Sequence, residues 1–314
     1  MDHVAIVGAT GAVGSEIRRL LQERNFPAKR ISCFASARSA HKAALLTEQA
    51  LNDVDLAFFC AGASVSKQYI PHALNAGALV IDSSSAFRTD PSVPLIIPEI
   101  NGHLHEGQRI LSSPNCVASI LLMALFPLHR LFRTKRVILT TYQAASGGGA
   151  SLMQRLKDET TAYLKGELLG SSPYAFNLFL HNSPLHKDFY LEEERKIHFE
   201  VRKILQDETL KISATCVRVP VLRAHALSAN IEFHDSVDLE KAEADLHSMP
   251  GLIFSQDRFP TPHDATGKNE VFCGRLRIDP SQQNTLEFWA VGDQLLKGAA
   301  LNAVQIAENC LSKK

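Results

Sequence analysis

A short β-branched segment followed at once by three spaced glycines is the feature that most restricts the fold of this chain. Residues 3–7 read HVAIV, the loop GATGAVG comes next, and apolar residues at helical spacing follow. The pattern predicts a strand, a tight turn and a helix. Glycines 8, 11 and 14 would let the backbone approach a pyrophosphate at the amino end of that helix. The order of elements favours a dinucleotide-binding loop over a purely structural turn.

Further strands are predicted downstream of the loop, at RISCFAS (30–36), DLAFFCA (55–61) and ALVIDSSS (78–85). Helical patterns separate most of them. Strands that alternate with helices are typical of a doubly wound parallel sheet, here over roughly the first 115 residues.

The pattern changes after about residue 136. The segments RVILTTYQA, ISATCVRVPV, ALSANIEF and TLEFWAV alternate apolar and polar residues, as expected for an antiparallel sheet with one solvated face. Helices are predicted near 149–167 and 190–207, and the final segment from DQLLKGAAL onward predicts an amphipathic helix. We expect a nucleotide domain, a second α+β domain, and a C-terminal helix that returns to the first.

Composition and charge exclude several classes of protein. Lys plus Arg equals Asp plus Glu, at 33 each, which argues against a nucleic-acid partner. The longest apolar run, 116–128, is too short to span a bilayer, and the N-terminus lacks the basic start of a signal peptide. The six cysteines lie far apart, with no CxxC pair and no metal-ligand spacing. We expect a cytoplasmic protein with no membrane association and no bound metal.

The end of the second predicted strand indicates which dinucleotide binds. A protein that reads the ribose 2′-hydroxyl of NAD usually places Asp or Glu there. This chain reads FASARSAHK, with Ser36, Arg38, Ser39 and Lys42 and no acidic residue. Hydroxyls and a guanidinium suit a 2′-phosphate, so the sequence favours NADP over NAD.

Cys116 stands in LSSPNCVASILLMALFPL, directly before a strongly apolar helical run. A thiol at a helix N-terminus has its thiolate favoured by the free backbone amides. The residues alone leave open whether Cys116 is a nucleophile or a buried structural thiol. We interpret the other five cysteines as buried structural thiols. His225 is a candidate base, and Arg88 and Arg218 are candidate anion ligands, although surface charges would give the same pattern.

The motifs together resemble aspartate-β-semialdehyde dehydrogenases over essentially the whole chain. The matching stretches are GATGAVG, ASARSA, VIDSSSAFR…VPLIIPEIN, SPNC, TYQAASGGG, EEERK…EVRKIL, RVPV…H and KGAALNAVQIAE. The resemblance implies an α/β fold with a Rossmann-like doubly wound parallel sheet, plus an α+β catalytic and dimerisation domain of the semialdehyde dehydrogenase type. We expect the NADP-binding domain to comprise 1–117 with 294–314, and the second domain 118–293.

The resemblance also implies a role for each matching residue. Cys116 would be the acyl-forming nucleophile, His225 the acid/base, and Gln143 the residue that orients the thiohemiacetal. Glu193 would take the substrate amino group and Arg218 its carboxylate, while Arg88, Asn115 and Lys196 would hold inorganic phosphate. The implied cofactor ligands are Gly8, Thr10, Gly11, Ala12, Val13, Arg38, Ser39, Ser146, Gly147 and Gln294.

The implied reaction interconverts L-aspartate-4-semialdehyde, phosphate and NADP with 4-aspartyl phosphate and NADPH through a cysteine thioester. It would serve lysine, threonine, methionine and diaminopimelate biosynthesis in a cytoplasmic homodimer. N-acetyl-glutamyl-phosphate reductase is the enzyme alternative, but its cysteine lies in a Gly-Cys-Tyr-Pro context. A catalytically inactive homologue is the second alternative, because Ala224 and Ala226 replace the Gly and Ser that usually flank the histidine. Gln294 replaces an asparagine that is common in the family, and its longer side chain would alter the contact with the cofactor.

Overall fold

The structure is a computed structural model that describes residues 1–37 and 43–311. The chain divides into two units, Met1–Asn115 with Gly298–Lys314, and Cys116–Lys297. In chain order the elements are β1 (His3–Val7), α1 (Ala12–Glu23), β2 (Arg30–Ala35), β3 (Ala44–Leu45), β4 (Leu56–Phe59), α2 (Ala63–Asn75), β5 (Leu79–Asp82), α3 (Pro98–Asn101), β6 (Ile110–Ser112), α4 (Cys116–Phe132), β7 (Thr134–Gln143), α5 (Ala150–Leu164), β8 (Phe179–Leu180), α6 (Glu192–Leu205), β9 (Lys211–Arg218), β10 (His225–Phe233), α7 (Leu239–Ser248), β11 (Leu252–Ser255), α8 (Pro262–Ala265), β12 (Val271–Ile278), β13 (Thr285–Gly292) and α9 (Leu301–Leu311).

The first unit is built on a parallel sheet. Its strands, among the residues described, run in the order β3-β2-β1-β4-β5-β6, so that the order reverses between β1 and β4. Both central strands are buried along their whole length, which is why they read as continuous apolar runs. The expected Rossmann-like sheet is confirmed, and the reversal point is where such sheets bind ligands.

The C-terminal helix α9 packs in this first unit. Its apolar face is buried, and it contacts α1. A bidentate ion pair joins Arg24, just after α1, to Glu308 of α9, with both N–O distances at 2.7 Å. The chain therefore leaves the first unit at residue 115 and comes back to it with its last helix.

The second unit contains a mixed sheet in the order β11-β12-β13-β10-β7-β9-β8, counted over the described residues. The expectation of a purely antiparallel sheet is wrong here, because β7 pairs parallel to β9, and β11 parallel to β12. Parallel neighbours need a long crossover, and the segment with α5 and α6 supplies one between β7 and β9. Helix α4 packs against β7, β10, β12 and β13, and is buried on nearly every side.

The predicted helices and strands are largely confirmed, with differences at their ends. The C-terminal helix does not start at Asp293, whose carboxylate instead accepts hydrogen bonds from Arg223 Nε and the Gly267 amide, both at 2.7 Å. The helix begins with a π-type turn at Leu296–Ala300 and continues as α9. Across residues 1–37 and 43–311, no helix combines the length and the apolar character needed to cross a bilayer.

Candidate active site

Three buried polar side chains meet at one edge of the second unit's sheet. Gln143 and Arg218 are the last residues of β7 and β9, and the parallel register pairs them directly. His225 opens β10, which runs antiparallel to β7 and pairs Ala226 with Tyr142. The three side chains are 1–3% exposed. Strand direction and register therefore bring together residues that lie far apart in sequence.

The imidazole of His225 is held as a neutral ring. Its Nδ1 accepts a hydrogen bond from the Ala144 amide at 3.0 Å, which leaves the ring hydrogen on Nε2. Within the described part of the chain, Nε2 is buried without a hydrogen-bond partner. Burial, together with the positive charge of Arg218, holds the pKa of His225 well below its ordinary value. The ring thus presents an N–H to a ligand near neutral pH.

The guanidinium of Arg218 is fixed at both Nη nitrogens. Nη1 donates to the Ala144 carbonyl at 3.0 Å, and Nη2 lies 2.7 Å from Nε2 of His181. Its Nε is buried with no partner among the residues described. Gly147 lies against both this group and His225, because a Cβ there would be 2.8 Å from Nη1 and 2.9 Å from the imidazole Nε2. Only a residue without a side chain leaves this space open.

Gln143 is oriented by its neighbours. Its Oε1 accepts from the Thr141 hydroxyl at 3.1 Å, and its Nε2 donates to Glu193 Oε1 at 3.4 Å. The other Glu193 oxygen lies 3.9 Å from the Lys196 ammonium. The site therefore contains the buried carboxylate of Glu193 beside two hydrogen-bond donors, the Gln143 amide and the Lys196 ammonium.

The three adjacent glutamates at the start of α6 have different surroundings. Glu192 points to His186, at 2.8 Å, and is partly exposed. Glu194 is buried and accepts from the amides of Leu191 and Cys216, at 2.8 and 2.9 Å. Among the three, it is Glu193 whose carboxylate contacts Gln143 at the sheet edge.

Cys116 is the first residue of α4, and its thiol is partly exposed. Its position at a helix N-terminus favours a thiolate. By contrast, burial raises the pKa of Cys60 to about 12 and that of Cys310 to about 11, and raises those of Cys216 and Cys273 further. Those four thiols remain protonated at neutral pH and are unsuited to nucleophilic attack.

Ser146 and Gln294 belong to one hydrogen-bonded group that also supports His225. The Gln294 Nε2 donates to the Ser146 hydroxyl, and its Oε1 accepts from the Ala224 amide at 2.9 Å. Ser146 and Gly147 form part of a short 3₁₀ turn at Ala145–Gly148. Gln294 therefore links the glycine-rich turn to the residue directly before the histidine.

The glycine loop of the first unit forms a cradle at the carboxyl end of β1. Gly8 has φ of +92°, and a Cβ there would lie 2.9 Å from the backbone of residues 60 and 61. A Cβ on Gly14 would be 2.4 Å from the Gly8 carbonyl oxygen. Gly8, Thr10 and Gly11 line a cavity of about 590 Å³, and Ala12 and Val13 begin α1. This cradle fits a dinucleotide pyrophosphate.

The same cavity reaches the end of β2. Ser36 and Ala37 line it, and neither is acidic. Arg38 and Ser39, the predicted ligands of a 2′-phosphate, lie outside the described residues.

Arg88 and Asn115 are buried in the first unit. Arg88 donates from Nε to the Ser113 carbonyl at 3.0 Å and from Nη2 to the Ser83 carbonyl at 2.9 Å. Asn302 of α9 donates to the Ser113 hydroxyl at 2.9 Å. The C-terminal helix thus supports the segment that precedes Cys116.

Sequence analysis did not identify His181. It follows the two-residue strand β8 in a stretch without clear periodicity, and only strand pairing brings it to Arg218. No pattern in the sequence marks it.

Comparisons with known proteins identify relatives along the whole chain. Residues 3–107 match the family model "Semialdehyde dehydrogenase, NAD binding domain", and 125–297 match "Semialdehyde dehydrogenase, dimerisation domain". The aspartate-semialdehyde dehydrogenase of Synechocystis sp. is 44% identical over 98% of this chain and 96% of its own, and that of Aquifex aeolicus is 40% identical over 98% and 97%. A solved structure of aspartate semialdehyde dehydrogenase II from Vibrio cholerae is 35% identical, with a TM-score of 0.95, over 99% of this chain and 98% of its own. A second structure of that protein is described as complexed with ASA.

Proposed function

This chain belongs to the aspartate-semialdehyde dehydrogenase family, and we propose that it catalyses the NADP-dependent, phosphorylating reaction between L-aspartate-4-semialdehyde and 4-aspartyl phosphate. The observation that carries the proposal is the sheet edge at which Gln143, Arg218 and His225 meet. This edge brings together three buried groups: a guanidinium that can bind a carboxylate, a side-chain amide and a neutral imidazole.

Cys116 is the proposed nucleophile. Its thiolate adds to the aldehyde carbon, and the product is a thiohemiacetal on the sulfur. The position of Cys116 at a helix N-terminus supports this role. Burial raises the pKa of four other thiols, those of Cys60, Cys216, Cys273 and Cys310, which disfavours them as nucleophiles.

His225 is the proposed acid/base, and with its ring hydrogen on Nε2 it acts on the oxyanion of this intermediate as a hydrogen-bond donor. Because Nδ1 accepts from Ala144, the ring meets the oxygen through Nε2, which no described residue satisfies. Loss of hydride from the carbon then leaves a thioester on Cys116. Gln143 would steady the intermediate with its amide, whose orientation Thr141 and Glu193 set.

Charge accounts for substrate recognition. Arg218 would pair with the substrate carboxylate through its planar fork, and Glu193 would accept the ammonium group. Both side chains are buried, so each ion pair would form away from bulk water, where it is stronger.

Phosphate would attack the carbonyl carbon of the thioester, and cleavage of the C–S bond would release 4-aspartyl phosphate and return Cys116 as the thiolate. We assign Arg88, Asn115 and Lys196 to its binding. Arg88 is held by two backbone carbonyls of its own unit, which orients its guanidinium in advance of binding. The ammonium of Lys196 lies 3.9 Å from Glu193, at the limit of an ion pair.

The cofactor supplies hydride transfer at C4 of its nicotinamide. Gly8, Thr10, Gly11, Ala12 and Val13 would hold its pyrophosphate, and the absence of an acid at Ser36 and Ala37 supports NADP over NAD. Arg38 and Ser39 are the proposed ligands of the 2′-phosphate, and Ser146, Gly147 and Gln294 are proposed to lie at the nicotinamide end.

We also propose a cytoplasmic homodimer that serves lysine, threonine, methionine and diaminopimelate biosynthesis. In the second unit, large apolar side chains between residues 163 and 189 are strongly exposed, including Leu164, Leu168, Phe176 and Phe189. Burial of these side chains against a second copy would remove them from water.

The test is phosphate-dependent NADPH formation from L-aspartate-4-semialdehyde by the wild type beside Cys116→Ser. We expect activity in the wild type and a loss of at least ~10³-fold in the variant, with NADP binding retained. An inactive wild type that folds and binds NADP would instead identify a homologue that has lost catalysis.

A further inference from the structure

We propose that His181 is a positioning residue, which orients the Arg218 guanidinium for the carboxylate of the substrate. The proposal rests on the proposed function and adds a residue to the recognition of that substrate. The observation behind it is the 2.7 Å contact between His181 Nε2 and Arg218 Nη2.

The backbone fixes the place of His181. It follows β8 directly, and its amide donates to the Cys216 carbonyl at 2.8 Å, which continues the pairing of β8 with β9. Arg218 lies two residues beyond Cys216 on the same strand, so the side chains of His181 and Arg218 lie on the same face of the sheet. The contact is therefore built by strand pairing rather than by a flexible loop.

Chemistry assigns the roles of the two groups in this contact. Arginine carries hydrogen-bond donors and no acceptor, so His181 Nε2 accepts, and the ring is neutral with its hydrogen on Nδ1. The Ser183 amide also faces Nδ1, at 3.2 Å, but a neutral ring has one acceptor nitrogen, and the shorter, charge-assisted contact at Nε2 determines which nitrogen that is. Burial lowers the pKa of His181 to about 4; Glu193 opposes this effect, while Arg218 and Lys196 reinforce it. The ring consequently remains an acceptor across the neutral range.

This acceptor completes the orientation of the guanidinium. The Ala144 carbonyl holds Nη1, and His181 holds Nη2, so the plane of the group is set at two points. Nε has no partner among the described residues and remains for a ligand. A bidentate carboxylate requires such a fixed plane, because both of its oxygens must meet parallel N–H groups.

The experiment compares His181→Gln, which keeps a hydrogen-bond acceptor, with His181→Leu, which removes it at similar volume. We expect His181→Leu to raise KM for L-aspartate-4-semialdehyde about tenfold or more, with a smaller change in kcat and unchanged KM for phosphate and NADP. His181→Gln should recover most of the affinity for the semialdehyde. With 3-aminopropanal, an aldehyde that lacks the carboxylate, kcat/KM should be the same for wild type and His181→Leu.

His186→Leu is the matched control, because this histidine pairs with the partly exposed Glu192 and should leave every constant unchanged. An equal loss with both aldehydes, or an unchanged KM for the semialdehyde in folded His181→Leu, would overturn the positioning role. If His181→Leu does not fold, His181→Ala against His181→Gln makes the same comparison. An inactive wild type would count against the proposed function, and an active wild type with an unaffected variant against His181 alone.

Discussion

At the scale of single residues, Ala224 has a backbone conformation that alanine rarely adopts. Its φ is +69°, in the left-handed region, and it stands directly before His225. Its amide donates to Gln294, which also contacts Ser146. The Gln294 side-chain amide thus holds Ala224 in a left-handed conformation that its Cβ disfavours.

Ala224→Gly and Ala226→Gly form a matched pair that measures this strain. Both methyl groups are buried in one cluster, at 1% and 2% exposed, so each loses ~0.8 kcal/mol of burial and ~0.5–1 kcal/mol to backbone entropy. Ala224→Gly also relieves roughly 1–2 kcal/mol of left-handed strain. We expect Ala226→Gly to be less stable than Ala224→Gly by about 1–2 kcal/mol in urea unfolding. Equal losses in the two variants would show that residue 224 is not strained.

The residues of the candidate site differ in how far the sequence could reveal them. SPNC and TYQAASGGG are motifs, so Cys116 and Gln143 could be named in advance, although their roles remain predictions. His181 could not be named, because its contact with Arg218 depends on the pairing of β8 with β9. Motifs report residues close in sequence, whereas this contact joins residues 37 positions apart.

At the scale of elements, the start of α6 is joined to the sheet by one carboxylate. Glu194 accepts from the Leu191 amide at the helix N-terminus and from the Cys216 amide in β9. This helix carries Glu193 and Lys196. The packing of α6 against β9 therefore determines the positions of the Glu193 and Lys196 side chains.

We predict that Glu194→Ala lowers the free energy of unfolding by about 2–3 kcal/mol. The substitution removes a helix cap and leaves the buried Cys216 amide without its acceptor. Glu192→Ala, two positions earlier and partly exposed, should change it by less than ~0.5 kcal/mol. Chemical denaturation of both variants measures the two free energies of unfolding. Similar losses for Glu194→Ala and Glu192→Ala would contradict the prediction.

Strands and helices were predictable to within a few residues, but their pairing was not. HVAIV coincides with β1, and the two long helical patterns coincide with α5 and α6. The parallel pairing of β7 with β9 was missed, because alternation along a strand reports its two faces and says nothing of its neighbour's direction. The short strands β3 and β8 carry too few residues to show a period at all.

At the scale of the whole molecule, buried histidines link stability to pH. Burial lowers the pKa of His129, His181, His198 and His225 below the ordinary value. The unfolded chain then binds more protons than the folded one below pH ~6.5, so stability falls as pH falls. Asp82, whose pKa burial raises, acts in the opposite direction.

We predict that the unfolding free energy decreases between pH 6.5 and pH 5, by up to about 1.4 kcal/mol per pH unit for each such histidine. His198→Gln should reduce that slope, since His198 has no assigned part in the site. His234→Gln is the control, a histidine outside this group. Urea unfolding at half-unit pH intervals measures both slopes, and a flat wild-type profile would contradict the prediction.

Because the three residues at the sheet edge of the candidate site come from separate strands, the order of synthesis determines when that site can be complete. Cys116 leaves the ribosome first, Gln143 follows, and His225 arrives roughly 4–16 s after Gln143 at about 5–20 residues per second. Until β10 pairs with β7, the edge lacks the imidazole of His225, and Gly147 has no ring to face. An incomplete chain therefore carries the Cys116 thiol without the proposed acid/base, and the candidate site is complete only once β10 has paired with β7.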